Sequence, residues 1–114
     1  MPDANRANYD TTRLGSTSTV GCFPEGVSPY KIEGMSGNVW EWTRSLDSDY
    51  PYSGKGTGWT QRARLRTERD AARVLRGGAF WDAPLHVRCA DQSGSPARYV
   101  LHYIGFRIVV AGLP

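Results

Sequence analysis

The nine residues 38–46, NVWEWTRSL, constrain this chain more than any other segment. Their alternation puts Val39 and Glu41 on one side of a strand and Trp40 and Trp42 on the other, the pattern of a half-buried strand. Two indoles on one face need a core to receive them. Each also carries a single N–H donor, which suits a core walled by polar loops. Gly34 and Gly37 just upstream allow the chain to turn tightly into the strand.

The other strand signals are short and sit beside glycine. Residues 73–76 (RVLR) run into Gly77-Gly78 and then Ala79-Phe80-Trp81. Residues 87–90 (VRCA) form a further short strand signal, and residues 104–110 (IGFRIVV) the last and most apolar one. Residues 20–23 read as an edge strand. Residues 1–29 and 47–58 are punctuated by Gly, Pro, Asn and Asp and read as loop, and residues 60–70 as a charged, solvent-facing connection. Helical periodicity is weak, and residues 24–35 hold at most a short helix. The expected architecture is a small, twisted antiparallel sheet with long irregular loops and little helix, in one domain spanning 1–114.

Composition narrows the function classes. The formal charge of +3 comes from 12 arginines against two lysines, and six arginines (62, 64, 66, 69, 73 and 76) cluster before the Gly-Gly pair. No nucleic-acid-binding motif accompanies them, so nucleic acid is not the expected partner. No stretch is apolar for long enough to cross a bilayer, and the N-terminus has neither the charge nor the apolar core of a secretion signal. Cytoplasm is the default compartment. Cys22 and Cys89 lack metal-ligand spacing. Two buried free thiols are expected; a disulfide between them would instead imply an oxidising compartment.

Three segments taken in order, GNVWEW (37–42), RVLRGG (73–78) and IGFR (104–107), resemble the formylglycine-generating enzyme (sulfatase-modifying factor) family. VGCFP (20–24) and VRCA (87–90) fit the same pattern. The resemblance runs from about residue 5 to 110 and covers the C-terminal part of the family domain, so the N-terminal strands and helices are expected to be absent. It implies an α+β, C-type-lectin-like fold. On this scaffold Gly77-Gly78 permits positive φ or close approach. Gly105 lets the last strand pass a bulky neighbour, and Arg107 can tie loop carbonyls together.

Enzymes of that family oxidise a substrate cysteine with oxygen at a copper ion held by a cysteine pair soon after the Gly-Gly. Copper(I) requires soft thiolates. Here residues 79–87 read AFWDAPLHV, without cysteine. Asp82 and His86, four apart, make a weak two-ligand set. A related branch, resembling the ergothioneine-type sulfoxide synthases, holds iron through histidines of an additional N-terminal domain. His86 and His102 alone are too few for such a site. The family also binds structural calcium through backbone carbonyls and a carboxylate. Gly37, Val39 and Glu41 match one such site, in which Gly34 replaces a side-chain ligand, and Asn8 stands at a second.

With the copper ligands missing, the leading expectation is a non-catalytic binding module, of the type of the variable proteins of diversity-generating retroelements. Its contact face would be Phe80, Trp81, Asp82, Leu85, His86, Asp91, Gln92, Ser93, Arg98, Tyr99, Leu101, His102 and Tyr103. The expected ligand is a protein, because exposed Trp, Tyr and Arg dominate protein interfaces. The alternative is an oxidase of the formylglycine-generating type, truncated or dependent on a partner. Self-association through uncovered sheet edges is a third expectation.

Overall fold

The computed structural model describes residues 2–47 and 71–110. Loop fills most of residues 2–39, interrupted by 3-10 turns at Asp10–Thr12 and Pro24–Gly26. A four-stranded sheet follows, made of β1 (Trp40–Leu46), β2 (Ala72–Arg76), β3 (Ser93–Pro96) and β4 (Ile104–Gly105) in the order β3-β2-β1-β4. The contacts put the Trp40 and Trp42 face against the core and the Glu41 face toward the last strand, as the alternation requires.

β1 and β2 pair antiparallel with Trp42 opposite Leu75, and the register shifts between Trp42 and Leu46. Thr43 Oγ1 donates to the Val74 carbonyl at 2.9 Å across this pair. β2 pairs antiparallel with β3, whereas β1 and β4 run parallel, Trp40 beside Ile104. The sheet is therefore mixed and not wholly antiparallel.

The chain departs from the sequence expectation at four further places. Residues 20–23 and 87–90 are turns, not strands. The last strand stops at Gly105, well short of Val110. Ser93–Pro96, which carries no strand signal, is a strand because β2 supplies it with a four-residue register. The cysteines are free, as expected, but both are exposed. The arginine cluster lies outside the described residues apart from Arg73 and Arg76.

Two small cores hold the fold. Trp40, Leu75 and Ala79 form one, with Trp42, Tyr103 and Ile104 packed on it; Ala7, Tyr9 and Val87 form the other. Gly78 joins them. At φ +76° it occupies left-handed space, and a Cβ there would sit 2.7 Å from Val87 Cγ1 and 2.8 Å from the His86 carbonyl oxygen. Only glycine lets the chain leave β2 and lie this close to the turn at His86. Gly105 lies close to Val39, where an added Cβ would sit 3.1 Å from Cγ2, but without the left-handed φ of Gly78.

Candidate functional site

β1 and the turn after Gly78 meet at Asp82. Its Oδ2 accepts from the Trp40 indole Nε1–H at 2.7 Å and from the Ala79 amide at 2.8 Å. The Asp82 carbonyl accepts from the Asp10 amide at 3.1 Å, tying the first loop to the same turn. A carboxylate fixed by two N–H donors is orientated before any ligand arrives.

A cavity of about 300 Å³ opens beside it, lined by Trp40, Asp82, His86, Asp91, Gln92 and Ser93. Across this space His86 Nδ1 lies 3.0 Å from Asp91 Oδ2. When Nδ1 carries the proton, Asp91 orientates the ring and leaves Nε2 as the acceptor. The cavity thus combines two carboxylates with an orientated imidazole. It can receive a polar or positively charged group and hold it against the edge of the core.

The residues singled out in the sequence separate into three sets. Asp82, His86, Asp91, Gln92 and Ser93 share the cavity. Phe80, Trp81, His102 and Tyr103 form an aromatic cluster, with Trp81 centred 4.5 Å from Tyr103 and 5.0 Å from His102. Phe80 is buried and forms the underside of that cluster. Leu85, Arg98, Tyr99 and Leu101 lie outside both groups, all exposed, with the Arg98 guanidinium 5.5 Å from the Tyr99 ring centre. The sequence reading placed Trp40 in the core and missed its second role as cavity wall. The indole donor needing a partner was the available signal.

Glu41, expected near a cation, has Arg107 as its partner. Arg107 Nε and Nη2 both donate to the Glu41 carboxylate, and Nη1 and Nη2 also reach the carbonyls of Glu33 (3.0 Å) and Gly34 (2.7 Å). The hydrogen bond to Glu41 holds the guanidinium above the ordinary arginine pKa, outweighing partial burial, which pushes it down. The guanidinium places a positive charge directly on the Glu41 carboxylate. Asn8, at the second expected position, is buried. Its Nδ2 donates to the Ser16 carbonyl at 2.8 Å and its Oδ1 has no partner among the described residues.

Redox-metal ligands do not assemble. Among the described residues no three His, Cys, Asp or Glu side chains are placed so that they could hold a metal ion together, Asp82, His86 and Asp91 of the cavity included. The cavity offers no thiol, and copper(I) has no soft ligand there.

Comparison with known proteins fixes the relationship. Over 73 residues the chain is 38% identical to hercynine oxygenase of Mycolicibacterium smegmatis, which is 57% of this chain and 16% of that protein. In three dimensions it superposes on PvdO from Pseudomonas aeruginosa with a TM-score of 0.73 at 24% identity, over 91% of this chain and 38% of the other. The chain therefore spans well under half the length of the proteins it matches. The expectation of a non-catalytic module with a diversified binding face is overturned by these matches. The sequence relative is by name an oxygenase, and the domain description that matches residues 3–112 is that of an enzyme. That match covers nearly the whole chain, which belongs to the sulfatase-modifying factor enzyme 1-like domain family.

Proposed function

We propose that this chain is part of an enzyme of the formylglycine-generating type, on the oxygenase side of that family, and that it forms the substrate-facing wall of the active site. The observation that carries this reading is the 38% identity to hercynine oxygenase. The cavity supports it independently: Asp82 is held rigid by Trp40 and Ala79, and His86 is orientated by Asp91. The C-type-lectin-like assignment of the fold belongs with this reading and rests on the GNVWEW, RVLRGG and IGFR frame.

A redox metal would supply oxygen activation in such an enzyme. The cavity does not fit copper, and two histidines are too few to complete an iron site within this chain. What these residues can do is bind and orientate. Asp82 and Asp91 offer carboxylate oxygens to a positively charged nitrogen, and the His86 imidazole can accept or return a proton at Nε2. Trp40 forms part of the cavity wall. Hercynine carries a permanent positive charge, which suits the two carboxylates, and its own carboxylate must then point away from them.

Calorimetric titration with hercynine tests the reading. Binding is expected to the wild-type chain and to weaken about tenfold in Asp82→Asn, which removes a negative charge facing the quaternary ammonium. A folded wild-type chain that takes up no hercynine contradicts it. Oxidation of a sulfatase-type cysteine peptide by the chain with copper and oxygen would overturn the choice of the oxygenase side.

A further inference from the structure

Asp91 reaches the cavity from the stretch that precedes β3, and contacts from β2 fix where that stretch lies. Leu75 is in register with Ser93, the first residue of β3. Arg76, the next residue along β2, donates from Nη1 to the Ala90 carbonyl at 3.1 Å and to the Asp91 carbonyl at 2.9 Å. Neither residue belongs to a strand, so the guanidinium satisfies carbonyls that no ladder pairs. The Asp91 carboxylate, placed in this way, lies 3.0 Å from His86 Nδ1. His86 is fixed from the other side. Its amide donates to the Ala83 carbonyl at 2.9 Å, and its own carbonyl lies against Gly78. The side chains of His86 and Asp91 are 45% and 22% exposed, so water competes for the pair. Placement of the two backbones, more than burial, holds them together.

We propose that Arg76 is the positioning residue that sets which ring nitrogen of His86 carries the proton. An imidazole free in water favours the form with its proton on Nε2. A carboxylate held at Nδ1 reverses that preference, since only a protonated Nδ1 can donate to it. Arg76 keeps the Asp91 carboxylate there, and Nε2 is left as an acceptor. The cavity then gathers two carboxylates and an acceptor nitrogen around one space. Ligands that bring N–H, O–H or positive charge are favoured, and anionic groups are repelled. With the proton on Nε2, His86 would offer a donor and relax that choice. This consequence for ligand choice rests on the cavity being the substrate site; the assignment of the tautomer does not. Both contacts of Arg76 come from a single nitrogen, so an ammonium at that point can replace the guanidinium, as it could not in a two-nitrogen fork.

Nitrogen-15 NMR of the histidine rings in the whole chain, at a pH where both are neutral, tests this without any ligand. His102, which packs against Phe80, Trp81 and Tyr103, serves as the internal reference. The wild-type His86 ring is expected mainly in the Nδ1–H form. Arg76→Met keeps the stem and loses the donors. It should lower the ratio of Nδ1–H to Nε2–H about fivefold while the chain still melts cooperatively, the worth of one partly exposed pair. Arg76→Lys should restore the wild-type ratio. Asp91→Ala should shift the ring at least as far as Arg76→Met, and adding Arg76→Met to it should change nothing more. Should Arg76→Met not fold, the wild-type guanidinium protons give the reading, with slow exchange at Arg76 expected and free exchange overturning the proposal. A wild-type His86 in the Nε2–H form overturns it, as does an unchanged ratio in folded Arg76→Met or a ratio that Arg76→Lys fails to restore. No ligand enters these measurements, so a failure of hercynine to bind bears on the proposed function alone.

Discussion

Residues 38–41 and residues 106–110 are both strand-like segments close to β4, yet they are stabilised in opposite ways. In the first, the Asn38 amide donates to Asn8, the Asn38 carbonyl accepts from Phe80, the Trp40 amide donates to Tyr103 and the Trp40 indole donates to Asp82. Asn38 Oδ1 also accepts from the Ser18 amide at 2.7 Å. In the second, only Arg107 points inward, and the apolar side chains face out. Short-range chemistry completes the first segment from within the chain. Substitutions in 38–41 and at its partners should therefore change folding stability far more than substitutions at the exposed apolar positions of 106–110.

The largest effect is expected from Trp40→Ala, which empties the core beside Leu75 and Ala79 and leaves Asp82 without its indole donor. A loss of about 3–5 kcal/mol in urea unfolding is expected. A loss under about 1 kcal/mol, the size of an ordinary surface change, contradicts the placement of Trp40. Gly78→Ala comes next, at about 1–3 kcal/mol, because alanine must adopt φ +76° and its Cβ meets Val87 and the His86 carbonyl. Thermal unfolding measures it, and a neutral result would mean that the turn is not held at this angle.

Glu41→Gln removes the carboxylate from a partly exposed Arg107, and about 1–2 kcal/mol is expected, below the cost of breaking a fully buried pair. Because the Arg107 pKa is raised in the folded protein, its contribution is fully present below the ordinary arginine value and is lost only as pH rises through the raised one. The difference between wild type and Glu41→Gln should thus stay flat on the alkaline side from neutrality to near that value. A difference that fades from neutral pH upward contradicts the pairing. The smallest folding effect is expected from Val110→Ser, within about 0.5 kcal/mol, since the side chain is exposed. A larger change in denaturation would erase the contrast between the two segments.

The contrast also explains what the sequence revealed. β1 and β2 were legible because Trp40, Trp42, Val74 and Leu75 alternate or cluster next to glycines. β3 was not, because Ser-Gly-Ser-Pro has no strand propensity of its own and is extended only by its register with β2. Residues 87–90 look like a strand since Val87 is apolar. It is buried against Ala7 and Tyr9 from a turn instead. The parallel pairing of β1 with β4 depends on topology and leaves no local trace.

For the site, Asp82 and His86 stood out by their place after the Gly-Gly. Their separation into different hydrogen-bond pairs, one with Trp40 and one with Asp91, depends on contacts 42 and five residues apart and could not be read from spacing. The missing cysteine pair argues against a copper site within residues 79–87. It did not justify the step to a binding protein, because the chain is 38% identical over 73 residues to a protein that is by name an oxygenase.

The central claim is that the cavity at Asp82 receives substrate, and the Trp40 indole Nε1–H reports on it directly, since it donates to Asp82 Oδ2. Its proton resonance should be protected from solvent exchange, shift when hercynine is added, and lose that protection in Asp82→Ala. An indole resonance that exchanges freely, or one that stays unmoved at saturating hercynine in a folded chain, contradicts the account.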